Sequence, residues 1–192
     1  VKPHGHAGRM VTIETGGLYA SSQPVLIRTV LGSCIAACLR DPVACIGGMN
    51  HFMLPRATGM DVGAPTRYGV NAMELLINKI MQLGGDRNRL EAKLYGGANV
   101  LNTHLTCMSI GDKNIEFARN FLRVEGIRLL EEQVGGVRAM EAVFNPQTGR
   151  SLVRLVQSSK SEWHPARKVR RCATCAKQCM NPDTCSVTLF GD

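Results

Sequence analysis

The chain has 192 residues, 44% apolar and 20% charged, the balance of an ordinary soluble globule. Its formal charge of +8 is concentrated late: residues 1–149 hold 15 Lys/Arg against 12 Asp/Glu, and residues 150–192 hold 8 against 3. Aromatics make up only 5%, so the excess around Arg167, Lys168, Arg170 and Arg171 reads as a solvated tail, and no nucleic-acid partner is expected.

Residues 1–9 read as a flexible N-terminal arm, and the opening VKPHGHAGRM lacks the apolar run of a secretion signal. Residues 10–16 (MVTIETG) alternate weakly and are expected to form a first strand. Residues 25–31 (VLIRTVL) and 34–39 (CIAACL) read as apolar strands separated by Gly32-Ser33. Asp41-Pro42 marks a turn, 43–54 (VACIGGMNHFML) a further buried strand, and Pro55 its stop. Residues 56–68 read as a surface loop. Apolar positions 70, 73, 76, 77, 80 and 83 share one face of a helix over 69–83, stopped by Gly84-Gly85.

A strand over 90–95 follows. Asp112 is expected to cap a second helix over 113–125, with Ile115, Ala118, Phe121 and Leu122 inward and Gly126 at its end. Strands at 127–134, 138–144 and 151–156 complete the pattern, the last two joined by an Asn-Pro-Gln-Thr-Gly loop. Strands before, between and after two helices predict an α/β (α+β) domain over 10–157, a layered sandwich of mixed or antiparallel sheet with helices. A basic linker over 158–171 and a cysteine-rich tail over 172–192 are expected beyond it. No stretch approaches the roughly 18 apolar residues of a membrane span, so no membrane insertion is expected. With a cytoplasmic location as the default, the cysteines read as thiols or ligands before disulfides.

The pattern with chemical content is Gly32-Ser33-Cys34 followed by Asn50-His51. A nucleophilic cysteine needs an ionisable thiol, a base within reach and donors for an oxyanion. Gly32-Ser33 can supply a tight bend that brings backbone N–H groups close to a substrate. His51 lies 17 residues after Cys34, beyond an Asp-Pro turn. That spacing fits an antiparallel pair with both residues at one end of a sheet, and histidine can exchange a proton with a thiol near neutrality. The competing reading is a core cysteine and a satisfied core histidine, since CIAACL is a natural buried strand. Cys38, Cys45 and Cys107 read as packing residues, and His104 carries no specific signal. Residues 96–99 (GGAN) read as a turn that either admits a partner or substrate backbone or simply links two segments.

RTVLGSCIAACLRDP at 28–42, with GGMNHFMLP at 47–55, resembles the chemoreceptor glutamine deamidase family, CheD. So do LYGGANVL at 94–101, IGDKNIEFARNFL at 110–122 and VFNPQTGRSLVRLV at 143–156. The resemblance implies a fold similar to cysteine deamidase toxins. It implies hydrolysis of selected glutamine side chains of methyl-accepting chemoreceptors to glutamate and ammonia, through a cysteine thioester. It also implies partners: receptor cytoplasmic domains and a CheC-type phosphatase. Carried over by position, it makes Cys34 the nucleophile, His51 the family histidine and Thr29 the threonine that orients it. In some members that threonine lies six positions before the cysteine, where this chain has Arg28; Thr29 lies five before. Gly32, Ser33 and Asn50 are the candidates for binding the oxyanion or substrate. No cofactor is implied for catalysis. The alternative is a non-catalytic adaptor that binds receptor or phosphatase.

Cys172, Cys175, Cys179 and Cys185 fall outside the resemblance. Four closely spaced thiolates can hold a structural Zn2+ or an iron–sulfur cluster. The other reading is a disordered tail with redox-labile thiols.

Overall fold

The structure, a computed structural model, describes residues 9–54, 64–99, 109–156 and 164–165. Its middle strand is the apolar run after Cys34, which offers water no polar face. In order across the first sheet lie β2 (Leu18–Ser21), β5 (Ile46–Phe52), β4 (Ile35–Asp41), β6 (Glu91–Gly96) and β7 (Arg128–Val134). The second sheet runs β1 (Arg9–Thr12), β3 (Val25–Leu31), β8 (Met140–Phe144), β9 (Ser151–Leu155) and β10 (His164–Pro165). Pairing is antiparallel except for β1 with β3 and β6 with β7. Two helices, α1 (Ala64–Gln82) and α2 (Ile110–Val124), pack on the first sheet. The result is the expected mixed-sheet α+β sandwich.

Two cores follow from strand alternation, because successive side chains point to opposite faces. On β4, Ile35, Ala37 and Leu39 join Phe52, Leu76, Ile77 and Phe121 between sheet and helices. Ala36 and Cys38 face the other way and join Ile27, Leu31, Met49, Tyr95 and Phe144 between the sheets. Each fully buried Leu or Ile contributes about 1.5–3 kcal/mol, which is why both faces of β4 are committed. By contrast β3 alternates buried and partly exposed positions, as a strand covered on one face should.

Several boundaries differ from the sequence reading for local reasons. The first strand stops at Thr12, which leaves 13–17 as a turn. β2 went unanticipated: it is a short, half-buried edge strand with no alternation to read. In α1, Met73, Leu76, Ile77 and Ile80 are buried as expected, but Leu83 lies past the helix end and is exposed. Gly84, at φ +102°, lets the chain leave that helix, in a conformation a Cβ disfavours. The cap of α2 is Ser109, not Asp112; Asp112 sits at the third helical position and completes a reciprocal capping box. Cys45 is a further correction. It is exposed in the β4–β5 turn with φ 55°, outside both apolar cores, and its sulfur meets the Arg40 guanidinium and the Pro42 carbonyl.

That turn is pinned by Asp41, whose side chain has no exposed surface. Its carboxylate accepts from the Val43, Ala44 and Asp86 amides and from the Arg89 guanidinium. Arg89, foremost, holds the Asp41 carboxyl well below the usual carboxylate range.

Candidate active site

Register brings the two candidate residues together. In the β4–β5 ladder Ala36 pairs with His51, so Cys34, just before β4, and His51, near the end of β5, share one end of the sheet. His51 is buried, and Cys34 is half-buried. Thr29 comes from the facing sheet. On β3 it points inward with no exposed surface, while Arg28 points out and ion-pairs with the buried Glu141. The threonine against the histidine is therefore Thr29, and alternation excludes position 28 from that place.

One hydrogen-bond network links these groups. The Thr29 hydroxyl lies 2.8 Å from the Ile13 carbonyl and 2.8 Å from His51 Nδ1. A carbonyl only accepts, so the hydroxyl donates to Ile13 and must accept from Nδ1–H. The other ring nitrogen, Nε2, then carries the lone pair. It lies 3.2 Å from the Thr15 hydroxyl, which in turn stands 4.0 Å from Cys34 Sγ. One consistent direction runs through the set: thiol to Thr15, Thr15 to Nε2, Nδ1–H to Thr29, Thr29 to Ile13. Among the described residues Cys34 and His51 make no direct hydrogen bond; Thr15 stands between them. Backbone bonds seat that threonine, since the His51 N–H donates to Gly17 O at 2.9 Å and Gly16 N–H donates to His51 O at 2.7 Å.

Electrostatics set the resting protonation. Burial pushes the Cys34 thiol up, opposed by the Thr15 hydroxyl and by the cysteine's own backbone N–H. Burial also holds His51 below its ordinary value, opposed by the Glu14 charge and an interaction with the Ile13 backbone. Both shifts favour neutral forms. Thiol and imidazole are therefore the favoured resting forms, with the Nε2 lone pair turned toward the Thr15 hydroxyl.

The segment around Cys34 is held by its carbonyls. Gly32 O accepts from Ala98 N at 2.7 Å and Cys34 O from Gly97 N at 2.7 Å. Ser33 O accepts from Asn114 Nδ2 at 2.7 Å. The approach explains the glycines in 96–99: a Cβ on Gly96 would fall 2.2 Å from Cys34 O. It is the cysteine loop's backbone that comes close there. The Ser33 hydroxyl itself contacts Met53 Sδ at 3.9 Å.

Asn50 is not in the site. Its Oδ1 accepts from Ala37 N at 3.0 Å, and its Nδ2 donates to Ala72 O at 3.0 Å, on the helix-facing side of β5. The neighbour of an inward histidine on a strand must face the other way. Cys38 is buried between the sheets, as a packing thiol should be. Cys107, His104 and the four tail cysteines lie outside the described residues. Among the described residues no cluster of His, Cys, Asp or Glu is arranged to hold a metal ion. Also among them, no helix is long and apolar enough to cross a membrane. Thr15 went unanticipated, because a lone threonine in an ETGG turn carries no signal in the sequence.

A Thiobacillus denitrificans protein named "Probable chemoreceptor glutamine deamidase CheD" is 50% identical over 146 residues, covering 74% of this chain and 71% of its own length. The chain belongs to the CheD family. A profile described as "CheD chemotactic sensory transduction" matches residues 53–155, a span that begins just after His51. A CheD protein of the same name from Burkholderia vietnamiensis is 50% identical over 140 residues, covering 71% of this chain and 56% of its own length. Among solved structures, Bacillus licheniformis hypothetical protein YfiH aligns with TM-score 0.39 and 14% identity over 70% of this chain and 61% of its own, too distant to bear on the fold.

Proposed function

We propose that this CheD-family chain is a protein-glutamine deamidase acting on chemoreceptors, with Cys34 as nucleophile, His51 as base and Thr29 as the residue that orients it. The observation that carries the reading is the hydrogen-bond chain from Cys34 through Thr15 to His51 and Thr29, which leaves Nε2 free to accept a proton. The names of the relatives supply the substrate class.

In the proposed reaction, Cys34 Sγ bonds to the carboxamide carbon of a glutamine side chain. The thiol proton reaches His51 Nε2 by way of the Thr15 hydroxyl, which passes on its own proton as it receives one. The carbonyl oxygen takes up the displaced electron pair and is held by the Cys34 backbone N–H. As the C–N bond breaks, the imidazolium gives its proton to the departing amine and ammonia leaves. Water, deprotonated by Nε2, attacks the thioester; the C–S bond breaks, glutamate forms and the thiol regains its proton. Every step uses this chain's own groups and water, and no cofactor enters.

The proposed setting is the cytoplasm, with receptor cytoplasmic domains as substrate and a CheC-type phosphatase as partner. The deciding experiment is mass spectrometry of a receptor cytoplasmic domain incubated with the protein. Conversion of specific glutamines to glutamates, lost in a folded Cys34→Ala variant, is expected. An active Cys34→Ala protein overturns the assignment, and unmodified receptor that still co-purifies selects the adaptor. The tail cysteines remain a proposed zinc or iron–sulfur site, tested by elemental analysis against a chain truncated at residue 158.

A further inference from the structure

Asn114 connects the two segments that carry the candidate pair. It sits in α2 near its N-terminus with no exposed surface. Its Nδ2 donates to Ser33 O at 2.7 Å, and its Oδ1 accepts from Leu54 N at 2.9 Å. Ser33 immediately precedes the nucleophile, and Leu54 closely follows His51. A buried amide satisfied at both ends by backbone is a rigid spacer, because losing either bond leaves a buried group unpaired. The start of the helix is itself closely seated: a Cβ on Gly111 would lie 2.3 Å from Gly97 O.

Peptide planarity turns one of these bonds into an aiming device. The Ser33 carbonyl and the Cys34 N–H belong to one planar unit, and in a trans peptide they point in opposite directions. No cis peptide occurs among the described residues. Holding Ser33 O therefore fixes where the Cys34 N–H points. That N–H belongs to the residue that carries Sγ. A carbonyl carbon bonded to Sγ would present its oxygen to the same donor. Among the described residues no carbonyl competes for this N–H.

We infer that Asn114 is a positioning residue that presets the Cys34 backbone N–H as the oxyanion donor by holding the Ser33 carbonyl at the other end of the same peptide plane. The inference rests on the deamidase reading and goes beyond it, because it assigns a function to a residue of α2 that touches no reacting atom. It also separates two chemistries of the same sulfur. Amide hydrolysis builds an oxyanion, whereas alkylation of the thiol does not.

The test compares wild type with Asn114→Asp, which keeps an acceptor for Leu54 but puts a second acceptor where the donor to Ser33 was, and with the smaller Asn114→Ser. Receptor deamidation kinetics, iodoacetamide alkylation of Cys34 and thermal unfolding are measured for each. Removing an oxyanion donor outright costs about 100–1000-fold in kcat, so misaiming one is expected to cost about 10–100-fold, with KM and the alkylation rate on its alkaline plateau, where the thiol is fully ionised, within about 3-fold of wild type. Folded variants that keep wild-type kcat overturn the inference. So does an alkylation rate that falls in parallel with kcat, which means the site has collapsed rather than lost its aim. Loss of cooperative unfolding in both variants reduces Asn114 to a structural residue and overturns it too. A wild-type protein that leaves the receptor unmodified refutes the deamidase reading itself, and the inference falls with it.

Discussion

Thr29→Val removes one hydroxyl from the centre of the molecule and tests the protonation pattern that the site depends on. The residue has no exposed surface, and its oxygen serves both the Ile13 carbonyl and His51 Nδ1 at 2.8 Å. Valine keeps the branched shape and leaves both partners without a mate. Burying an unpaired donor or acceptor costs about 1–3 kcal/mol, partly offset here by the added methyl, so a net loss of about 1–3 kcal/mol in stability is expected. The larger consequence is chemical. Without an acceptor beside Nδ1, the imidazole is free to carry its proton on Nε2, where it cannot accept one from the thiol. One neutral hydrogen bond of about 1–1.5 kcal/mol corresponds to roughly a tenfold bias in tautomer, and the unpaired penalty extends this toward 100-fold. Deamidation, followed by mass spectrometry on a receptor domain, should therefore fall about 10–100-fold, with Thr29→Ser recovering most of it. A folded Thr29→Val protein with wild-type turnover at every pH would show that the threonine does not set the tautomer.

Two further outcomes follow from the same geometry. Thr15→Val removes the hydroxyl between sulfur and imidazole, so Cys34 should alkylate more slowly at neutral pH and its rate–pH profile should move to the alkaline side; an unchanged profile excludes Thr15 from the proton path. His51 is held below its ordinary value when folded, so the unfolded chain takes up the proton first. Its contribution to stability is complete above about pH 6.5 and diminishes as pH falls below that, and urea midpoints at pH 5, 6 and 7.5 should show a decline that His51→Gln flattens.

Much of the fold is legible because it is local. CIAACL and VLIRTVL announce strands, the 73, 76, 77 and 80 stripe announces α1, and the spacing from Cys34 to His51 across an Asp-Pro turn announces a pair at one end of a ladder. The capping of α2 by Ser109 was within reach as well, since Ser followed three residues later by Asp is a reciprocal-cap pattern. Asn50 is instructive in another way. Once His51 is placed on a strand facing inward, alternation already sends Asn50 to the far face.

What the chain order determines unaided is periodicity and register, because both arise between residues that are neighbours along the chain or across one turn. Those two properties bring Cys34 and His51 to the same end of β4 and β5. Only the tertiary structure decides what surrounds the pair. Thr29 reaches His51 from the opposite sheet, Thr15 from a turn between two edge strands, and Asn114 from a helix 80 positions after Cys34. These contacts depend on how layers stack and which loops close over their ends. No pattern in the sequence encodes that directly, because the hydrogen bonds that fix the imidazole and the cysteine peptide exist only when the two sheets and α2 are packed together.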